Sequence, residues 1–175
     1  MSNVLIGIIG VILFIGLALA GALFLGPRFQ ESTQNSKAAA IAQANVQIAH
    51  AAAMYNLQEG MEFANTSPAG LSPGYLKAIP QNVMSTQLGY GFRALNGDLA
   101  ISTTVKPGYS TTGWNPSDNE GKALCAAIAR QSGLTLAADG SPPSAAAPIG
   151  SSGCVKITGT AWGGLDGYYI GYARV

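Results

Sequence analysis

The sequence predicts an α+β chain in which a long N-terminal helix packs on an antiparallel sheet, and three observations carry that expectation. The 23 residues from Val4 to Gly26 hold no charge and no strongly polar side chain. A second helical pattern runs from Ser36 to Asn56, with its larger apolar side chains at helical spacing. Further on, short alternating runs broken by Gly, Pro and an Asn-Gly pair read as strands joined by turns.

Length and charge set the bounds. A chain of 175 residues accommodates one globular domain with an appended element. All nine Lys and Arg and all eight Asp and Glu fall at or after Arg28. The natural division is therefore an apolar segment, residues 1–27, and a head, residues 28–175, rich in Gly, Ala, Ser and Thr. The head is long enough to bury a core. Its charges are interspersed and the net charge is +1, so no nucleic-acid-binding surface is expected.

Residues 4–26 suit three arrangements: a membrane-spanning helix, a cleavable signal peptide, or a buried core helix. As a helix the segment is about 34 Å long, enough for a hydrocarbon core of about 30 Å. Ala18-Leu19-Ala20 resembles a cleavage site, but Met1-Ser2-Asn3 carries no basic residue and the apolar run exceeds a usual signal core. Uniform apolarity argues against a water-soluble surrounding. Membrane insertion is the expectation.

Gly7, Gly10, Gly16, Gly21 and Gly26 punctuate the span. Each costs a water-exposed helix about 1 kcal/mol relative to Ala. Gly16/Ala20 and Ala18/Ala22 have the spacing that lets membrane helices approach closely, although glycine is also simply common in such helices. Gly16, Gly21, Gly26 and Pro27 are therefore candidates for helix packing or local melting. Pro27 lacks an amide and disfavours helix at Gly26.

Gly26-Pro27 closes the apolar run, and a short polar stretch leads to the helix Ser36–Asn56. Ile41, Ile48 and Tyr55 recur every seven residues there, with Ala44, Ala51 and Ala52 on the same face. Residues 65–74 read as a turn-rich loop. Tyr90–Leu95 and Asp98–Val105 flank Asn96-Gly97, a pair suited to a two-residue hairpin turn. Residues 107–116 read as another loop. Ser117-Asp118-Asn119-Glu120 fits a capping box for a helix that continues through Cys125 and ends at Gly133. Residues 139–153 read as a low-complexity surface loop. Val155–Thr158 and Tyr168–Val175 are the closing strands.

The only cysteines are Cys125 and Cys154. One disulfide or two buried thiols both fit, and an anchor ahead of the head favours the oxidising compartment that a bridge needs. The expected bridge ties the second helix to a strand.

Little in the sequence points to catalysis. His50 is the sole histidine and has no acidic neighbour. Glu59 and Glu62 have helical spacing but too few companion ligands for a cation. No phosphate-binding loop, metal-spaced cluster or Ser–His–acid arrangement is present. Trp114, Trp162, Tyr168, Tyr169 and Tyr172 either pack in the sheet or decorate an exposed face, and packing is expected. The chain is expected not to be an enzyme and to need no cofactor and no metal.

The ordered combination of apolar run, helix Ser36–Asn56, hairpin and cysteine pair resembles the type IV pilins. The type IVb branch, with the toxin-coregulated and bundle-forming pilins, is the most similar. The resemblance rests on Leu99-Ala100-Ile101-Ser102 leading to a helix with the first Cys, a second Cys before a terminal strand, and the segments Ser36-Lys37-Ala38-Ala39 and Lys122-Ala123-Leu124-Cys125. It covers nearly the whole chain, though each motif alone is loose.

The resemblance implies an inner-membrane anchor that becomes the core of an extracellular helical filament. Such a filament serves adhesion, motility, DNA transfer or secretion. Its implied partners are other copies of the chain, the inner membrane, the pilus assembly machinery and a prepilin peptidase, with Met1 the processed and N-methylated residue. One departure stands out: the family carries Glu as its fifth mature residue, whereas this chain has Leu5 and no acid before Glu31. A major subunit and a minor pilin or pseudopilin that initiates or caps a filament therefore both remain open, as does a monomeric, single-pass anchored binding protein.

Overall fold

The structure is a computed structural model, and it describes residues 2–82, 90–95, 98–104, 108–110, 113–115, 119–145, 150–158 and 167–175. The chain divides into two compact units, Met1–Gln34 and Asn35–Val175.

Helix α1 runs from Ser2 to Glu59. The polar stretch between the two expected helices is thus itself helical, and the helix passes through Gly26 and Pro27. Arg28-Phe29-Gln30-Glu31 supplies mostly good helix formers. Arg28 and Glu31 pair at 3.8 Å, and Thr33 Oγ1 donates to the Phe29 carbonyl at 2.9 Å. Pro27 withholds one amide from the helical ladder without ending it.

In the head, one face of α1 is buried through Ala38, Ile41, Ala44, Ile48, Ala51 and Ala52, the seam that the heptad spacing marks. The chain reverses at Gly60, which has φ +68° and donates its amide to the Asn56 carbonyl. Asn56 Oδ1 then accepts from the Phe63 amide at 2.8 Å. Phe63 is thereby set edge-on to both Tyr55 and Phe92. A 3-10 turn follows at Pro68–Leu71, with the Ser67 hydroxyl accepting from the Ala69 amide and Leu71 fully buried. The Ser72–Pro73 peptide is cis.

Strands β1 (Tyr90–Leu95) and β2 (Asp98–Thr104) form the expected hairpin. Leu95 pairs with Asp98, so two residues connect the strands; Asn96-Gly97 itself lies outside the described residues. Strands β3 (Gly108–Ser110) and β4 (Gly113–Asn115) form a separate antiparallel pair, where the sequence reads as a loop. Tyr109 and Trp114 are register partners there, and aromatic residues favour extended pairing. Helix α2 spans Asn119–Gln131; Ser117 and Asp118 of the expected capping box lie outside the described residues. Gly133 has φ +73°. Its amide bonds to the Arg130 carbonyl and the Leu134 amide to the Ala129 carbonyl, the paired bonds of a glycine-terminated helix.

Strands β5 (Ser144–Ala145), β6 (Ser152–Ile157) and β7 (Tyr169–Arg174) complete a five-stranded sheet of order β1-β2-β7-β6-β5. All its pairs are antiparallel except β5 with β6, which is parallel. The expected antiparallel sheet is thus present, with the two-residue β5 added parallel to β6 at its edge. One expectation is corrected here: the segment 139–153 contains paired backbone, since Lys156 donates its amide to the Pro143 carbonyl. Strand β7 is central and buried on both faces. Tyr169 joins α1 and α2 in one cluster, while Ile170 and Tyr172 meet Ala100, Val155 and Ile157 on the other face.

Candidate assembly surface and disulfide

In the N-terminal unit, large apolar side chains from Ile6 to Phe24 stand open all around the helix. Phe14 and Leu17 are each 74% exposed and Phe24 80%. Such a surface is costly in water. Among the described residues this is the one helix long and apolar enough to cross a membrane. Beyond the helix's own backbone and their chain neighbours, Gly7, Gly10, Gly16 and Gly26 have nothing within 4 Å of where a Cβ would sit. The helix is continuous through Gly16, Gly21, Gly26 and Pro27. Met1 lies outside the described residues.

In the head, Cys125 on α2 and Cys154 on β6 are joined in a disulfide, with Cα atoms 5.3 Å apart. Both are fully buried and share a cluster with Ala38 and Ile41 of α1, Leu124 and Ile128 of α2, and Tyr169. A second tie lies beside it. Leu134, the residue after the Gly133 cap, sits against Gly153 so closely that a side chain there would push the end of Leu134 aside.

The face of α1 turned from the core presents Gln43, Val46, Gln47, His50, Met54 and Leu57 to solvent. A groove of about 490 Å³ lies at one end of it, lined by Gln43, Val46 and Gln47 of α1, Gln131 and Ser132 at the end of α2, and Ser152. Gln131 Nε2 also donates to the Asn35 carbonyl at 3.3 Å. Sequence reading did not find this groove; exposed glutamines four apart at 43 and 47 were its only signal.

His50 is exposed. Helix α1 ends at Glu59, so Glu62 does not share a helix face with it. The Tyr75 hydroxyl donates to Glu59 Oε1 at 2.6 Å, and this bond to an anion raises the Tyr75 pKa. Asp139 Oδ1 accepts from both the amide and the hydroxyl of Ser141, and Lys122 Nζ lies 3.5 Å from its other oxygen. The Ser141 bonds, with Lys122 adding to them, hold the Asp139 pKa down at about 2. Tyr169 and Tyr172 are buried and Tyr168 is half-buried, in keeping with packing. Trp162 and the side chain of Trp114 lie outside the described residues. Among the described residues no three His, Cys, Asp or Glu side chains gather as a metal site would require.

Comparison with protein-family models, with curated proteins and with solved structures finds no match to this chain.

Proposed function

We propose that the chain is a structural subunit of a filament of the type IV pilus kind, most similar to the type IVb branch. Residues 1–27 hold it in the inner membrane before assembly and pack in the filament interior afterwards, with the heads outside on the cell surface. One observation carries this reading. The exposed, uncharged surface of residues 6–24 belongs to the same helix whose later turns form the core seam of a disulfide-tied head. A surface of that kind needs lipid or other apolar helices around it, and a polymer of identical subunits supplies the second when the first is left. The subunit's partners are then its own copies, the membrane, the assembly machinery and a prepilin peptidase.

Leu5 favours a variant of this reading, a minor pilin or pseudopilin that initiates or caps a filament, because the chain has no acid before Glu31.

Deleting residues 1–28 tests the proposal. The expected product is a soluble monomer by sedimentation, whereas the full chain yields filaments in sheared surface material. Filaments from the truncated chain would refute it. An image of the full-length filament also tests whether the helix opens between Gly16 and Arg28 once neighbouring helices shield the freed backbone. Unbroken helix there would reject that part alone.

A further inference from the structure

We propose that α1 carries a hinge, Ser32 to Ser36, that opens and re-forms as helix in the membrane-anchored subunit; this rests on the anchor, though not on the polymer, of the reading above. A helix keeps its backbone bonds because lipid offers no other partners, because a face is packed, or because its own residues favour it. Residues 6–24 have the first support once inserted, since an amide freed in hydrocarbon finds no other acceptor. From Ala38 onward α1 has the second, with Ala38, Ile41 and Ala44 buried in the head. Between them, Arg28 to Thr33, Asn35 and Ser36 are exposed. That stretch depends on the third support alone.

Its residues supply it unevenly. Arg28 to Glu31 are mostly good helix formers, but they make barely one turn. Ser32, Thr33, Asn35 and Ser36 come from the lower half of the helix-propensity order, because short polar side chains offer the backbone other bonds. The Thr33 hydroxyl already does so, donating to the Phe29 carbonyl at 2.9 Å, a contact that slightly weakens and bends helices. Arg28 and Glu31 pair at 3.8 Å with both side chains open to water, and such a pair adds little.

Both ends of the stretch are marked. Pro27 has no amide to return to the Leu23 carbonyl, so the turn after it is loosened from the span. At the other end Gln131 Nε2 donates to the Asn35 carbonyl and Ala38 is fully buried, where the hold of the head begins. The nine residues between Pro27 and Lys37 are fewer than a helix needs to persist in water by itself. Opening at Ser32–Ser36 lets the anchored head turn at the membrane surface while the span stays in place.

Hydrogen exchange, read by mass spectrometry on the full-length chain in phospholipid vesicles, tests this. Amides of residues 32–36 are expected to be at least about a hundredfold less protected than those of residues 41–52, which open only with the head, while residues 6–24 stay protected by lipid. Each of the four weak residues costs the helical state about twofold relative to Ala. Combining Ser32→Ala, Thr33→Ala, Asn35→Ala and Ser36→Ala should therefore raise protection at 32–36 roughly twentyfold and leave 41–52 unchanged. Protection at 32–36 equal to that at 41–52, or no gain in the fourfold variant, overturns the hinge and leaves the anchor standing. Free exchange at residues 6–24 overturns both.

Discussion

Replacing Cys125 and Cys154 together by Ala removes the one covalent tie between α2 and β6. The bridge spans 29 residues, and the chain-entropy estimate for a loop of that length is about 3.6 kcal/mol at 25 °C. Both side chains are fully buried, so the substitution also leaves small voids that add to the loss. Against a total stability of about 5–15 kcal/mol for a domain, the expected fall is a large share. With a urea slope of about 1–3 kcal/mol/M, the midpoint should move down by roughly 1–4 M. The assay is urea unfolding of residues 29–175, followed by circular dichroism, for the oxidised parent and the double variant. A midpoint shift equivalent to less than about 0.5 kcal/mol, the noise of a neutral surface change, refutes the assignment of stability to the bridge. So does native parent protein in which both thiols alkylate freely.

Ile48→Ala empties a fully buried position on the core seam and should cost about 2–5 kcal/mol, while Val46→Ala on the open face should stay within about 0.5 kcal/mol; equal midpoints in the same urea assay would contradict the seam. Asp139, held at a pKa of about 2, contributes stability that is present above the ordinary carboxylate pKa of about 3.9 and is lost as pH falls through 2. The group is fully exposed, so the effect is small; a carboxyl NMR titration should place its midpoint well below that of other Asp residues, and Ser141→Ala should return it towards the usual value.

Local patterns were legible where one element's own residues decide its state. The heptad of Ile41, Ile48 and Tyr55 marked the buried face of α1, Asn96-Gly97 marked the β1–β2 connection, and Gly133 marked the end of α2. The pair Cys125–Cys154 followed from there being only two cysteines. What escaped was set by partners distant in sequence. Ser144–Ala145 has no strand propensity of its own and is extended because β6 lies beside it. The pairing of β3 with β4 was hidden by Gly, Ser and Thr around Tyr109 and Trp114. Pro27 looked like a terminus, since a single missing amide is visible in sequence while the helix-forming run after it has to be weighed against it. The groove beside Gln43 and Gln47 was illegible because Ser152 reaches it only through the fold.

The position of β7 bears on how the head is made. Residues 169–174 are synthesised after the other described strands of this sheet, yet they occupy its middle, between β2 and β6. Until they emerge, the β1–β2 hairpin and the β5–β6 pair have no shared edge, and the emerging chain is two unjoined pieces beside an apolar helix already made. Closure therefore joins segments far apart in the chain, a slow class of contact. Translation stopped shortly before Tyr169 leaves a product that cannot close its sheet. The order of strands thus acts as a check on chain length, admitting to the folded state only subunits translated through the seventh strand.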